Sequence, residues 1–212
     1  ANGKYDAFAN FSRMLVAGGT PSPHITGELT GQQIANAVTG AWDDEAPYVP
    51  VPDGADPRAV LAEAFRSRLR PLLGDRVARI SDAEMVDTIS YQLFPNLKPW
   101  GGWIFGLVYR LRPYRDDHTR CIFDIYLTQP LPPEQRVQPT TVWLDEGQSF
   151  TDVAELGLLG GVFNQDTFNL DQIMTGLRNN PRGKLTLGRY QELDIRHFFA
   201  LWQRWLGLEA TS

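Results

Sequence analysis

Cysteine is nearly missing from this 212-residue chain: Cys121 stands alone. A single thiol closes no internal disulfide and anchors no Cys/His cluster, and such usage suits a reducing cytoplasm, the compartment expected for the chain. Histidine is scarce too. His24, His118 and His197 are the whole supply, and no two stand three or four residues apart, so no metal-binding pair forms on one helix face. Long apolar runs are lacking: none approaches the ~20 residues of a membrane-crossing helix, and no signal peptide is visible. Positive charge is not in excess. A net charge of -5 and a pI near 5.2 argue against nucleic acid or an anionic membrane as partner. Gly-x-Ser-x-Gly and P-loop motifs are absent, and Gly157, Gly160 and Gly161 are too irregularly spaced for a nucleotide fingerprint.

What remains is the composition of a globular protein, 42% hydrophobic beside 21% charged. The length suits one domain with a sizeable core, so residues 1–212 are expected to form a single domain. Tyr5, Ala7, Ala9 and Phe11 alternate with Asp6, Phe8, Asn10 and Ser12, as in a strand. Thr30 to Trp42 reads as a threonine-capped helix with Ile34, Ala37, Val38 and Ala41 on one face. Asp43 to Gly54 reads as a loop too polar for the core. Asp56 as N-cap and Pro57 at the first helical position open the next helix, striped by Val60, Leu61, Ala64, Phe65 and Leu69 and closed by Pro71 and Gly74.

From Ser81 the period changes to that of strands. Asp87–Phe94, Gly102–Arg112 and Arg120–Thr128 alternate, with Asn96–Gly102 and Arg115–His118 as polar turns, which is the pattern of an antiparallel meander. Pro130 to Pro139 leaves the sheet as a loop, and Asn179–Gly183 is a turn. Leu187 to Leu206 reads as a final helix striped by Tyr190, Ile195, Phe198, Phe199, Trp202, Trp205 and Leu206, with Phe198 and Trp202 as core anchors. Helices, a contiguous meander and a long amphipathic C-terminal helix describe an α+β fold.

The stretch Leu156–Leu177 carries the chemistry of interest. A glycine-loosened segment leads through Asn164-Gln165-Asp166 into an amphipathic pattern of Phe168, Ile173, Met174 and Leu177. Two explanations stand for Asp166. It falls where a first helical turn, capped by Asn164, favours a carboxylate. Equally, it can be an oxygen ligand to a metal in a pocket lined by Val162 and Phe163. His24 lies between a proline and a Thr-Gly and reads as a loop residue. His118 reads as a solvated turn residue, and His197 as a helix residue bonded within the structure. Trp100 and Trp103, separated by two glycines, fit either interior packing or a ligand-stacking pair.

Three ordered motifs carry a resemblance: Phe94-Pro95-Asn96, then Val162-Phe163-Asn164-Gln165-Asp166-Thr-Phe-Asn169, then Gln191-Glu192…Ile195-Arg196-His197-Phe198. Over most of its length the chain resembles the C-terminal catalytic domain of the large (alpha) subunit of Rieske-type aromatic-ring-hydroxylating dioxygenases. The resemblance implies a helix-grip domain (START-like, Bet v 1-like), an antiparallel sheet wrapped around a long C-terminal helix. It implies O2-dependent dihydroxylation or hydroxylation of an aromatic substrate, with Asp166 completing a two-His, one-carboxylate triad on mononuclear non-haem Fe(II), a ligand set that leaves positions open for O2. Val162, Phe163, Thr88 and Ser90 would shape the substrate site. Partners implied are an aromatic or apolar small molecule and either further copies of the chain, trimeric in the family, or other dioxygenase subunits.

The departures are equally informative. The family's [2Fe–2S] cluster needs two Cys and two His, so this chain holds no such cluster. The family's two iron-binding histidines precede the part that matches Tyr5-Asp6-Ala7-Phe8, so the chain is expected to be a truncated catalytic domain. Lacking two ligands of three, it is expected to hold no Fe(II) and to be inactive alone. The alternative is a stand-alone helix-grip protein that binds an apolar small molecule without chemistry; a third reading is an inert remnant, or a subunit that works only by assembling with a chain supplying the rest.

Overall fold

The computed structural model describes residues 3–21, 27–40, 47–103, 106–132, 134–135 and 137–208. His24, Ala41, Trp42 and the stretch 43–46 lie outside the described residues. The chain divides into two compact units, one of Ala1–Pro132 with Gly188–Ser212 and one of Pro133–Leu187. Each is described by itself.

In the first unit, β1 (Gly3–Ala7) and β2 (Phe11–Val16) form a hairpin. The single strand expected there is thus interrupted at Phe8–Asn10, where Phe8 N–H donates to Phe11 O. Helices α1 (Gly31–Thr39), α2 (Pro57–Leu73) and α3 (Asp82–Val86) follow, then β3 (Thr88–Leu93), β4 (Leu97–Gly101), β5 (Leu107–Tyr114) and β6 (Asp117–Leu127). The six strands pair in sequence order, all antiparallel. Helix α5 (Leu193–Trp205) packs against β1 and β2. The architecture is α+β, a six-stranded antiparallel meander with a C-terminal helix, and among the described residues no helix is long and apolar enough to cross a membrane.

Local chemistry explains the helix ends. Thr30 and Gln33 form a reciprocal capping box on α1, as do Ser81 and Glu84 on α3. The backbone N–H and the hydroxyl of Ser81 hold the Glu84 carboxyl below the ordinary carboxylate range. Asp56 accepts from Arg58 N–H with Pro57 at the helix start, as the sequence indicates, and α2 continues through Pro71 to Leu73.

The core lies among these helices: Ala35, Val49, Leu61, Ala62, Val77, Met85 and Val86 are buried together, with Val51, Val60, Phe65 and Leu69 packed around them. Val49 and Val51 correct the reading of Asp43–Gly54 as too polar for the core. The Gln32 side chain donates to Val49 O and accepts from Val51 N–H, satisfying that backbone so its valines can turn inward. Asp87, 3% exposed, ties helices to sheet. It accepts from Gly18 N–H at 2.9 Å and from Arg58 Nη1 at 2.5 Å, while Arg58 Nη1 also donates to Gly18 O. The bond to Asp87 raises the Arg58 pKa above its ordinary value.

The second unit holds two short 3-10 turns, Phe150–Asp152 and Ala154–Leu156, and α4 (Leu159–Arg178). Leu156 and Phe163 are its buried side chains, and the Phe163 ring lies against Phe150 at 5.6 Å.

Candidate functional site

Asp166 sits in the middle of α4, not at its start, because the helix begins at Leu159 and takes in Gly160 and Gly161. Asn164 therefore caps nothing in α4. Its Oδ1 accepts from Phe150 N–H at 2.9 Å and its Nδ2 donates to Ser149 Oγ at 2.8 Å, so it fastens the preceding turn to the helix. Asp166 is exposed on the helix surface, and with it Val162, Phe168, Ile173 and Met174, while Phe163 points inward. Of the pair expected to line a pocket, Phe163 serves as the core of its unit and Val162 faces outward. The exposed carboxylate does not make an iron site by itself: among the described residues no three His, Cys, Asp or Glu side chains gather.

Thr88 and Ser90 lie two apart on β3 and so share one face of the sheet. Val16 and Met14 stand opposite them on β2, and Trp100 stands opposite Ser90 on β4. Ser90 is buried and Thr88 half-buried. These two belong to the first unit, whereas Val162, Phe163 and Asp166 belong to the second.

Helix α5 departs from the expected stripe. It starts at Leu193, and Leu201 is its buried residue; Ile195, Phe199, Trp202 and Trp205 are exposed, Trp202 at 39% and Trp205 at 70%. At 100° per residue Asp194 and His197 fall on the same face as Leu201, so that face carries polar groups beside the buried leucine. Asp194 Oδ1 and His197 Nε2 are both shut off from solvent and have no hydrogen-bond partner among the described residues; Ser12 Oγ on β2 is a third such atom. Just before α5 the Tyr190 hydroxyl donates to Gly3 O, and on the helix Phe198 and Trp202 lie beside Phe94. A buried polar atom of this kind is ordinarily satisfied by a water or a ligand. His118 is exposed, as read from its neighbours, but it lies on β6, because the turn closes within Arg115–Asp116.

The feature least legible beforehand is a cleft of about 330 Å³ lined by Trp100, Gly102, Trp103, Gly106, Thr128, Gln129 and Pro130. Its walls are pinned. Trp103 N–H donates to Glu84 O at 2.9 Å, which holds one wall to α3, and Thr128 N–H donates to Gly106 O at 2.7 Å, which holds the other. At Gly102 (φ +81°) an added Cβ would lie 3.0 Å from Glu84 O, and at Gly106 one would lie 1.8 Å from Thr128 O, so both approaches need glycine. Trp100 packs edge-on against Tyr109 at 6.0 Å, and that ring in turn against Phe123 at 5.4 Å. The sequence signal was the indole pair itself, masked by reading Asn96–Gly102 as a turn when most of it is β4.

On the solvent side of β5 and β6, Asp124 accepts from Arg112 Nε at 2.7 Å and from Arg110 Nε at 2.8 Å. The Arg112 guanidinium, helped by Arg110, holds the Asp124 carboxyl down at about 2.

Compared with known proteins, the chain matches no family model, no curated protein and no solved structure.

Proposed function

We propose that the chain is the larger part of the catalytic domain of a ring-hydroxylating dioxygenase alpha subunit, built as a helix-grip domain. Asp166 is then the carboxylate of an iron site whose two histidines are not among these residues. The observation that carries the reading is a six-stranded antiparallel meander with a C-terminal helix packed on it, joined to three motifs in the family's order. In that role Asp166 contributes one anionic oxygen, and Thr88 and Ser90 offer hydroxyls along one sheet face to orient a substrate. Iron, when bound, would supply O2 activation. The chain by itself carries out no oxygenation, since one carboxylate does not hold a dication at useful affinity. The test is the reading frame upstream of Ala1 and the iron content of protein that includes it. An in-frame Asp…His…His segment, with one iron per chain lost on Asp166→Ala, supports the assignment; iron that survives Asp166→Ala overturns it.

A second reading, a binding protein for an apolar small molecule, is favoured by one observation, the pinned cleft between Trp100 and Trp103.

A further inference from the structure

We infer that the cleft between Trp100 and Trp103 in the first unit binds a planar aromatic molecule of one or two rings bearing a hydroxyl group. The inference deepens the second reading above and does not depend on iron.

Size comes first. The cleft is about 330 Å³, near the lower end of small-molecule pockets. A cavity of roughly 150 Å³ holds benzene, so this one has room for two fused rings. Shape comes next. Two indoles line the space, and the glycines at 102 and 106 add no side chain to its lining. Flat aromatic faces prefer offset-stacked or edge-to-face partners, and a saturated ring of equal size forgoes that preference.

The walls are also preformed. Gly102–Trp103 is fixed through Glu84 O, Gly106 is fixed through Thr128 N–H, and Trp100 is held edge-on by Tyr109. Little conformational freedom is therefore lost on binding, and the interaction is not consumed in ordering the site. Thr128 and Gln129 bring a hydroxyl and an amide to the lining, each able to donate to or accept from one hydroxyl. Apolar walls with a few convergent polar groups are the usual make-up of such sites. Among the described residues no charged side chain lines the cleft, which disfavours an ionised ligand.

The experiment is calorimetric titration of the full chain with 2-naphthol, beside decahydro-2-naphthol as its saturated counterpart and dodecanoate as an unbranched apolar ligand. Saturable one-to-one binding of 2-naphthol is expected, at least tenfold tighter than the saturated alcohol. Trp103 is 37% exposed, so Trp103→Ala leaves the fold intact and weakens 2-naphthol at least tenfold. Trp205→Ala, at an indole 70% exposed on α5, leaves the affinity unchanged. Equal affinity for the saturated alcohol, or affinity untouched by Trp103→Ala, overturns the inference. If dodecanoate binds and 2-naphthol does not, the aromatic site falls while the carrier reading survives; if neither binds, both fall.

Discussion

Helix α2 keeps Leu61 and Ala62 wholly out of solvent over its 17 residues, whereas α4, with 20, keeps only Gly160 and Phe163 buried. Both carry apolar residues at helical spacing. The difference lies in partners. Around α2 the chain folds α1, α3 and a 3-10 turn onto one stripe, and Arg58 in its first turn reaches Asp87 and Gly18. Within its own unit α4 meets the short turn at Phe150–Asp152, which covers one ring. Apolar spacing therefore identifies a helix that can bury a stripe; a neighbour decides whether it does.

The largest expected effect strikes the polar anchor of α2. Arg58→Ala leaves the Asp87 carboxylate buried without its cation, and a loss of roughly 3–5 kcal/mol is expected in urea unfolding. Next, Leu61→Ala should cost about 2–5 kcal/mol by cavity formation, while Ile173→Ala, at a residue 53% exposed on α4, should stay within about 0.5–1 kcal/mol. Equal costs at the two positions would erase the contrast between the helices.

Trp202→Ala falls between. Burial would have made it a core anchor, but at 39% exposure its edge-on contact with Phe94 remains, so about 1–2 kcal/mol is expected and the protein stays folded. Thermal unfolding with the sheet signal followed by circular dichroism checks this.

A smaller effect concerns pH. Asp124 has a folded pKa of about 2, below its unfolded value near ~4. Its contribution is thus fully present above that unfolded value and is lost as pH falls through about 2. Wild type should lose stability relative to Asp124→Asn between pH 5 and pH 2, and parallel pH profiles for the two would contradict the Arg112–Asp124 geometry.

Much of the fold was legible because it rests on short-range chemistry. Asp56-Pro57 opens α2, the threonine before α1 caps it, and the alternation in 107–112 and 121–127 gives β5 and β6. The β4 strand was not legible, since Pro99 and Gly101 break a strand pattern. Proline is tolerated because β3–β4 pairing passes from Ser90–Trp100 to Leu93–Leu97, and Pro99 lies in the gap. Nor was the start of α4. Asn164 reads as a cap in isolation, and only the long-range bonds to Ser149 and Phe150 reveal another use. The stripe of α5 misled because its large aromatics look like core, while the face on the sheet places Asp194 and His197 beside Leu201. Aromatic content marks affinity for a partner, and position around the helix decides which side finds one.

Asp166 tests the functional account most directly. It lies exposed in mid-helix, so Asp166→Ala should change stability by no more than about 0.5 kcal/mol, alanine being the better helix former. The measurement is elemental iron in the purified chain after anaerobic Fe(II) loading, in wild type and Asp166→Ala side by side. A lone carboxylate predicts far less than one iron per chain in both. One iron per wild-type chain and none in the variant would contradict the account, because the 212 residues would then supply a complete iron site of their own.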